Sequence, residues 1–370
     1  MIRLAGGLPA LELVPAAELA GGFERALGDP DASWQYGWPE GHIALRTWLA
    51  ARLRARGEAV TADDVIITAG AQQALALATA ELCAPDTRVA VGETTYAAAL
   101  DLFRLCGAVP IEQGPCDLSY VMAGVRNPTG KDGAPAVAQA LAAGRPVIVD
   151  EAYAQLRFDG RPPARVLDRA RARVWLVGTV SKVLCPGLRI GWLVPPRRHV
   201  GAVLARKQAS DLQTGSLVQA VLARALERLD LDAHIARIRT RYEARAARML
   251  DALARHAPAW TFDEPEGGFS VHVTTPEPGP PEDEDELLAG AIANGVSFDP
   301  GHRFRPARAP DESLSLRLCY SASREDEIDE GVRRLAAAWR EHVRAAGRDR
   351  CARAAREWCR RAPGTGRAPP

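Results

Sequence analysis

The sequence gathers its reactive residue types around Lys182. Of 47 basic residues in the 370-residue chain, only Lys131, Lys182 and Lys207 are lysine, and arginine fills every other basic position. A lysine kept in an apolar setting offers what a guanidinium does not: an amine that loses its proton and then acts as nucleophile or base. Lys182 follows the apolar run "RVWLVG" in a turn that also carries Thr179 and Ser181, and Arg189 closes the loop after a Pro186-Gly187 turn. After "VIIT" come Gly70, Ala71 and Gln72, small residues and an amide opening a helix, where free backbone N–H groups suit a bound phosphate. After "VIV" comes Asp150, with Tyr153 three positions on. Each feature also has a plain structural reading. Gly70 fits a tight turn, Asp150 fits a helix N-cap, and "NPTG" (Asn127 to Gly130) is a good turn by composition alone. Neither G-x-G-x-x-G nor G-x-x-x-x-G-K-[ST] occurs, so dinucleotide and nucleoside triphosphate cradles have no support.

These residues share one kind of position: the carboxyl ends of strands, where open α/β sheets bind ligands. "HIALRTWLAARLRARG" reads as a helix ending at Gly57, "DDVIIT" as a buried strand, and "AGAQQALALATAELC" as a turn opening a long helix. Strand "RVAVGE", helix "TYAAALDLFRLCG", strand "VPIEQ", a helix near "APAVAQALAAG", and strands "PVIVDEA", "RVWLVGTV" and "RIGWLVPP" follow. The alternation predicts an α/β fold: a mostly parallel sheet with helices on both faces. From Ser216 the chain reads as mostly helix, broken near Leu229 to Asp232. Beyond about residue 258, "GGFSVHVTT" and "LSLRLCYSA" alternate like half-buried strands, with helices at Asp285 to Asn294 and Glu325 to His342, which predicts a smaller α+β layer. The acidic run Pro276 to Glu286 reads as a solvated loop entering a helix. The expected division is a large domain over 31–229, a small domain from 1–30 and 230–340, and a basic tail over 341–370 expected to be disordered.

Net charge is +1, which argues against bulk attraction to nucleic acid or to an anionic membrane. Apolar runs stop short of bilayer length, and the start shows no basic n-region followed by a long apolar stretch, so neither a membrane span nor a signal peptide is expected. Seven cysteines with no C-x-x-C pair argue against a disulfide framework and a zinc site. They read as small apolar core residues of a reduced, cytoplasmic protein, and no metal site is expected.

The order of the motifs is more specific than any one of them. Gly70-Ala71-Gln72, Tyr96, "NPTG", "DEAY", "TVSK", "PGLRIGW" and "LRLCYSA" together resemble the fold-type I pyridoxal-phosphate enzymes. "AGGLPALELVPAAEL", "YGWPEGHIALR", "PEGGFSVHV" and "GVSFDPGHRF" resemble, within them, the class I/II aminotransferases related to 2-aminoadipate aminotransferase and to the aminotransferase-like domain of MocR-type regulators. The resemblance runs from Ile2 to about Arg340. It implies a large domain with a mixed, mostly parallel seven-stranded sheet sandwiched by helices, and pyridoxal 5'-phosphate (PLP) as cofactor. Lys182 then holds the cofactor as a Schiff base and shuttles the proton of the substrate Cα, Asp150 pairs with the pyridine nitrogen, and Asn127 and Tyr153 bond the ring hydroxyl. Tyr96 stacks on the ring. Gly70, Ala71, Gln72, Thr179, Ser181 and Arg189 surround the phosphate, with Tyr36 reaching it from a second subunit of a homodimer. Arg317 clamps the substrate carboxylate, Asn127 lies beside it, and Gly7 lets the N-terminal segment approach.

The implied reaction moves the amino group of an L-amino acid to a 2-oxo acid. An alternative is another fold-type I reaction on an amino acid: elimination, cyclisation, decarboxylation or oxidation. A remoter one is a regulator domain that only senses PLP. The chain departs from the family in a short segment ahead of "AGGLP", in the missing proline before Asn127, and in His302, which bears on substrate preference if it faces the pocket.

Overall fold

The computed structural model describes residues 1–29, 34–278, 281–307 and 313–361. A short first strand, β1 (Ile2–Arg3), is followed by helix α1 (Ala16–Leu27) and helix α2 (Ile43–Ala55). The main sheet then begins. Its strands are β2 (Ile66–Thr68), β3 (Arg88–Ala90), β4 (Val109–Ile111), β5 (Leu118–Met122), β6 (Val147–Asp150), β7 (Val174–Thr179) and β8 (Gly191–Val194), in the order β2-β8-β7-β6-β5-β3-β4. Only β8 runs against its neighbours; every other pairing is parallel. Helices α3 (Ala71–Leu82), α4 (Ala97–Leu105), α5 (Ala134–Ala142), α6 (Leu167–Ala170), α7 (Val200–Asp211) and α8 (Ser216–Leu226) complete this layer. Every residue of β6 and β7 is buried, which explains why both strands read as unbroken apolar runs rather than alternating ones.

The long helix α9 (Leu231–His256) leads to β9 (Thr261–Phe262), β10 (Ser270–Pro278), helix α10 (Pro281–Ala293), β11 (Val296–Ser297), β12 (Asp299–Pro300), β13 (Ser313–Cys319) and helix α11 (Glu325–Arg361). Strands β12-β13-β10-β9 form an antiparallel sheet, and β1 pairs in parallel with β11. The chain's first residues are therefore woven into its last third: Leu4 is fully buried, its N–H donates to Ser297 and its carbonyl accepts from Cys319.

The break anticipated near Leu229 to Asp232 falls between α8 and α9, where the Asp230 carboxylate caps the new helix by accepting from the Ala233 N–H at 3.0 Å. Besides the two-residue strands β1, β9, β11 and β12 and the short α6, three elements went unanticipated: α1, α7 and β5. The last hides because "LSYVM" carries Ser119 and Tyr120 mid-strand, and Tyr120 is nonetheless fully buried because its hydroxyl has a partner.

Two expectations are corrected. Of the cysteines whose surroundings are described, only Cys319 is buried; Cys83, Cys106, Cys116 and Cys185 are half-buried, Cys83 and Cys106 because they end helices α3 and α4. The acidic run is not wholly solvated either: Glu284 is fully buried, accepting from the backbone N–H groups of His302 and Ser315. Helix α11 continues to Arg361, through the Arg- and Ala-rich stretch read as tail, and residues 362–370 lie outside the described residues.

Candidate active site

Lys182 stands one turn beyond the end of β7, and its Nζ donates to the Gly7 carbonyl at 3.0 Å. The ammonium lies 5.2 Å from the Tyr153 ring centroid and 6.0 Å from that of Phe269. Burial pulls its pKa below the ordinary lysine value; Tyr96 acts against that shift and Arg317 adds to it. The site thus holds an amine poised toward its neutral, nucleophilic form.

Next to it, an electropositive cradle is built from two directions. Gly70, at φ +82°, turns the chain from β2 into α3, so the N–H groups of the helix's first turn face outward from Ala71. Arg189, itself in the left-handed region at φ 52°, lays its guanidinium on that turn, with Nη2 donating to the Ala69 carbonyl at 3.1 Å. A Cβ on Gly70 would lie 2.7 Å from Arg189 Nη2, so glycine here keeps guanidinium and helix end in contact. Among the described residues Arg189 makes no ion pair. A helix N-terminus and an unneutralised guanidinium side by side call for an anion. Thr179 and Ser181 line the same loop, their hydroxyl oxygens 2.8 Å apart, with Thr179 Oγ1 bonded to the Ile190 carbonyl at 2.7 Å. Gln72 joins Tyr96 through Tyr96 Oη to Oε1 at 3.2 Å.

Asp150 closes the opposite side. Its carboxylate is 1% exposed at the end of β6 and accepts from the Tyr120 hydroxyl and the Ala152 N–H, both at 2.8 Å. Burial pushes the carboxyl pKa up, while those two donors and the Lys182 charge pull it back. A buried carboxylate held this way is stabilised by a cationic partner.

Arg317, on β13, is the third arm. Its Nε and Nη2 donate to Asp299 Oδ2 at 3.0 and 2.7 Å, and Nη1 donates to Asn127 Oδ1 at 2.8 Å. The guanidinium also lies over the Phe304 ring at 4.5 Å. Gly6 N–H reaches the same Asp299 oxygen at 2.9 Å, and Gly7, at φ +56°, passes so close that a Cβ there would meet Tyr153 Oη at 3.2 Å. The three arms together can hold a phosphate, a heterocyclic cation and a carboxylate around one amine.

Comparison with known proteins gives this constellation a family. A profile described as aminotransferase class I and II matches residues 2–119 and 120–335. The chain belongs to that family. Among relatives of this aminotransferase, aromatic-amino-acid aminotransferase 1 of Thermococcus litoralis is 31% identical, the match covering 93% of this chain and 89% of the relative. The 2-aminoadipate transaminase of Thermus thermophilus is 32% identical, covering 90% and 89%. The crystal structure of LysN, the alpha-aminoadipate aminotransferase of Thermus thermophilus complexed with N-(5'-phosphopyridoxyl)-L-leucine, superposes with a TM-score of 0.82 at 28% identity, covering 93% of each chain. The fold is PLP fold type I, and the protein is a PLP-dependent aminotransferase.

The residues present fit PLP. The Gly70 turn and Arg189 suit the phosphate, the buried Asp150 carboxylate suits a pyridinium, and the Lys182 amine suits the aldehyde carbon. The structure brings together Gly7, Gly70, Ala71, Gln72, Tyr96, Asn127, Asp150, Tyr153, Thr179, Ser181, Lys182, Arg189 and Arg317. It does not bring Tyr36 to them within one chain: Tyr36 is 81% exposed, beside the exposed Trp34 and Trp38. His302 is engaged by Glu284, its Nδ1 lying 3.0 Å from Glu284 Oε2.

Residue-level reasoning missed Asp299, Tyr120 and Gly191. Asp299 lay in the quoted "GVSFDPGHRF", but nothing in one sequence pairs it with Arg317 across two strands. Gly191 has a clear steric signature: a Cβ there would sit 2.5 Å from the Gly70 carbonyl carbon and 2.6 Å from the Ala71 nitrogen. Lys207 was noticed only for its rarity. It is fully buried and paired with Asp211 at 2.9 Å; Asp211 in turn accepts from Gln73 Nε2 at 2.6 Å, and Gln73 Oε1 accepts from the Ala69 N–H at 2.8 Å. That chain of bonds ends on Ala69, the residue whose carbonyl accepts from Arg189.

Proposed function

We propose that this aminotransferase exchanges the amino group of an L-amino acid with a 2-oxo acid, with Lys182 as the attachment point and proton carrier. The observation that carries the reading is the braced Arg317 guanidinium facing the same space as Lys182. A guanidinium fixed by Asp299 and Asn127 loses little freedom when it grips a carboxylate bidentately, so it suits the α-carboxylate common to amino acids and 2-oxo acids.

Bound in the cradle, PLP supplies an electron sink for the bond broken at the substrate's α-carbon. The chain's own residues do the rest. Gly70, Ala71, Gln72, Thr179, Ser181 and Arg189 anchor the phosphate, and Asp150 keeps a positive charge favourable on the ring nitrogen. Asn127 and Tyr153 would orient the ring, and Tyr96 would pack against it. Arg317 fixes the substrate carboxylate and so selects which bond at Cα aligns for cleavage. Lys182 Nζ, low in pKa through burial, would take the proton from Cα and deliver it to the carbon on the other side of the amino nitrogen.

We further propose a cytoplasmic homodimer in which Tyr36 of one protomer completes the phosphate site of the other, since a fully exposed Tyr36 flanked by two exposed tryptophans suits a covered surface. Among the described residues no helix is long and apolar enough to cross a membrane. The names of the relatives make aromatic amino acids and 2-aminoadipate the first substrates to try.

The test offers the purified protein a panel of L-amino acids, aromatic and acidic included, with 2-oxoglutarate or pyruvate. Equal amounts of new amino acid and new oxo acid are expected. Ammonia, CO₂ or a cyclic product without a new amino acid overturns the reading in favour of another reaction on the same frame.

A further inference from the structure

Behind the catalytic loops, on the opposite face of the main sheet, lies a cavity of about 360 Å³ that the proposed reaction does not use. That volume falls within the range of small-molecule sites. The cavity lies between α2, the start of α9 and the loops after β6 and β7. Its walls alternate in sequence with active-site residues: Glu151 follows Asp150, Ala154 follows Tyr153, and Val180 and Val183 flank Ser181 and Lys182. One set of peptides thus serves two chambers.

Two observations point to an occupant. First, the lining carries an excess positive charge. Arg56 is paired with Glu151 at 2.7 Å and Arg52 with Asp232 at 2.6 Å. Arg239 has no ion pair among the described residues; it spends only Nε, on the Gln155 carbonyl at 2.7 Å. Its two terminal nitrogens form the fork that fits a carboxylate. Second, the rest of the wall is flat and apolar, with the Trp48 indole, itself under the Arg52 guanidinium at 5.8 Å, together with Leu53, Ile235 and Pro162.

We propose that this cavity is a second ligand site, separate from the active site, that takes a small carboxylate carried on a flat apolar body. The carboxylate pairs with the Arg239 fork, and the body lies along Trp48.

Indole-3-acetate is the probe, titrated by calorimetry into the PLP-loaded protein, with indole-3-acetamide as its uncharged counterpart. Because a carboxylate also suits the Arg317 clamp, the titration is repeated in Arg317→Gln. The proposal expects saturable binding, one per chain, that persists in Arg317→Gln. It expects about a tenfold weaker affinity in Arg239→Gln, recovery in Arg239→Lys, and about tenfold weaker binding of the acetamide. Trp48→Ala gives an independent reading of the apolar wall should Arg239→Gln melt early. Absence of saturable heat overturns the site. So does binding that is lost in Arg317→Gln and kept in both Arg239→Gln and Trp48→Ala, since the probe then reports the active site.

Discussion

Lys182 and Asp150 are both buried titratable groups, and burial shifts them in opposite senses. In the cofactor-free protein the Lys182 pKa lies below its unfolded value of about 10.4. Between those two values the unfolded chain holds more protons than the folded one, so stability rises with pH through that window. Asp150, raised above about 3.9, does the reverse: the folded chain holds the extra proton, and stability falls as pH rises through its window. Lys182→Met should therefore flatten the alkaline rise in urea-unfolding stability of the cofactor-free protein; an unchanged slope would mean that the amine is not desolvated. In the loaded protein, borohydride should fix the cofactor to the peptide containing Lys182, and Lys182→Ala should lose about a thousandfold or more in rate. Asp299→Ala frees the Arg317 fork, and KM for the amino acid should rise about tenfold with a smaller change in kcat, read from initial-rate kinetics. At this scale the sequence was legible wherever a residue type is rare for its setting, as with Lys182, or recurs in an ordered motif, as with Asn127 and Arg317. It was silent where a role exists only across strands. Tyr120 and Asp299 are ordinary residues until the sheet sets one beside Asp150 and the other beside Arg317.

Among the elements, the junction of β2, α3 and β8 decides whether the phosphate cradle forms. Strand β8 runs antiparallel beside β2, with Gly191 opposite Thr68, so any side chain at 191 meets the backbone of Gly70 and Ala71. Gly191→Ala should cost about 1–3 kcal/mol as overpacking, and should weaken PLP binding, followed by the cofactor's absorbance during titration; unaltered affinity would show that the turn adapts. Lys207 braces the same junction from α7 through Asp211 and Gln73. Lys207→Met leaves Asp211 without its ammonium, at an expected cost of about 1–3 kcal/mol in denaturant unfolding, and lowers PLP affinity, whereas Lys207→Arg should restore part of both. Strong periodicity made most of these elements readable. The exceptions follow from physics: β5 mixes Ser and Tyr into a buried strand, and the partner that permits this, Asp150, is 30 positions away.

The whole molecule leaves Trp34, Tyr36 and Trp38 at 68%, 81% and 75% exposure, a cluster that isolated chains seldom keep in water. Sedimentation should show a dimer. Mixing unfolded Lys182→Ala and Tyr36→Phe chains and refolding them together should regain activity that neither has alone, because a hybrid dimer contains one intact site; no regain would place Tyr36 outside the site. The α/β class could be anticipated from alternation along the chain, whereas the seven-strand count came only with the family resemblance, since alternation passes over β5. The threading of β1 beside β11 could not, because two-residue strands carry no periodic signal. That threading has a kinetic meaning. The Gly6 N–H to Asp299 contact spans 293 positions, and Gly7 to Lys182 spans 175, so the pocket closes only after nearly the whole chain has been synthesised. Contacts of such long range form slowly. Uptake of the cofactor can therefore serve as a clock for the last step of folding, telling a finished molecule from one whose sheet is already in place.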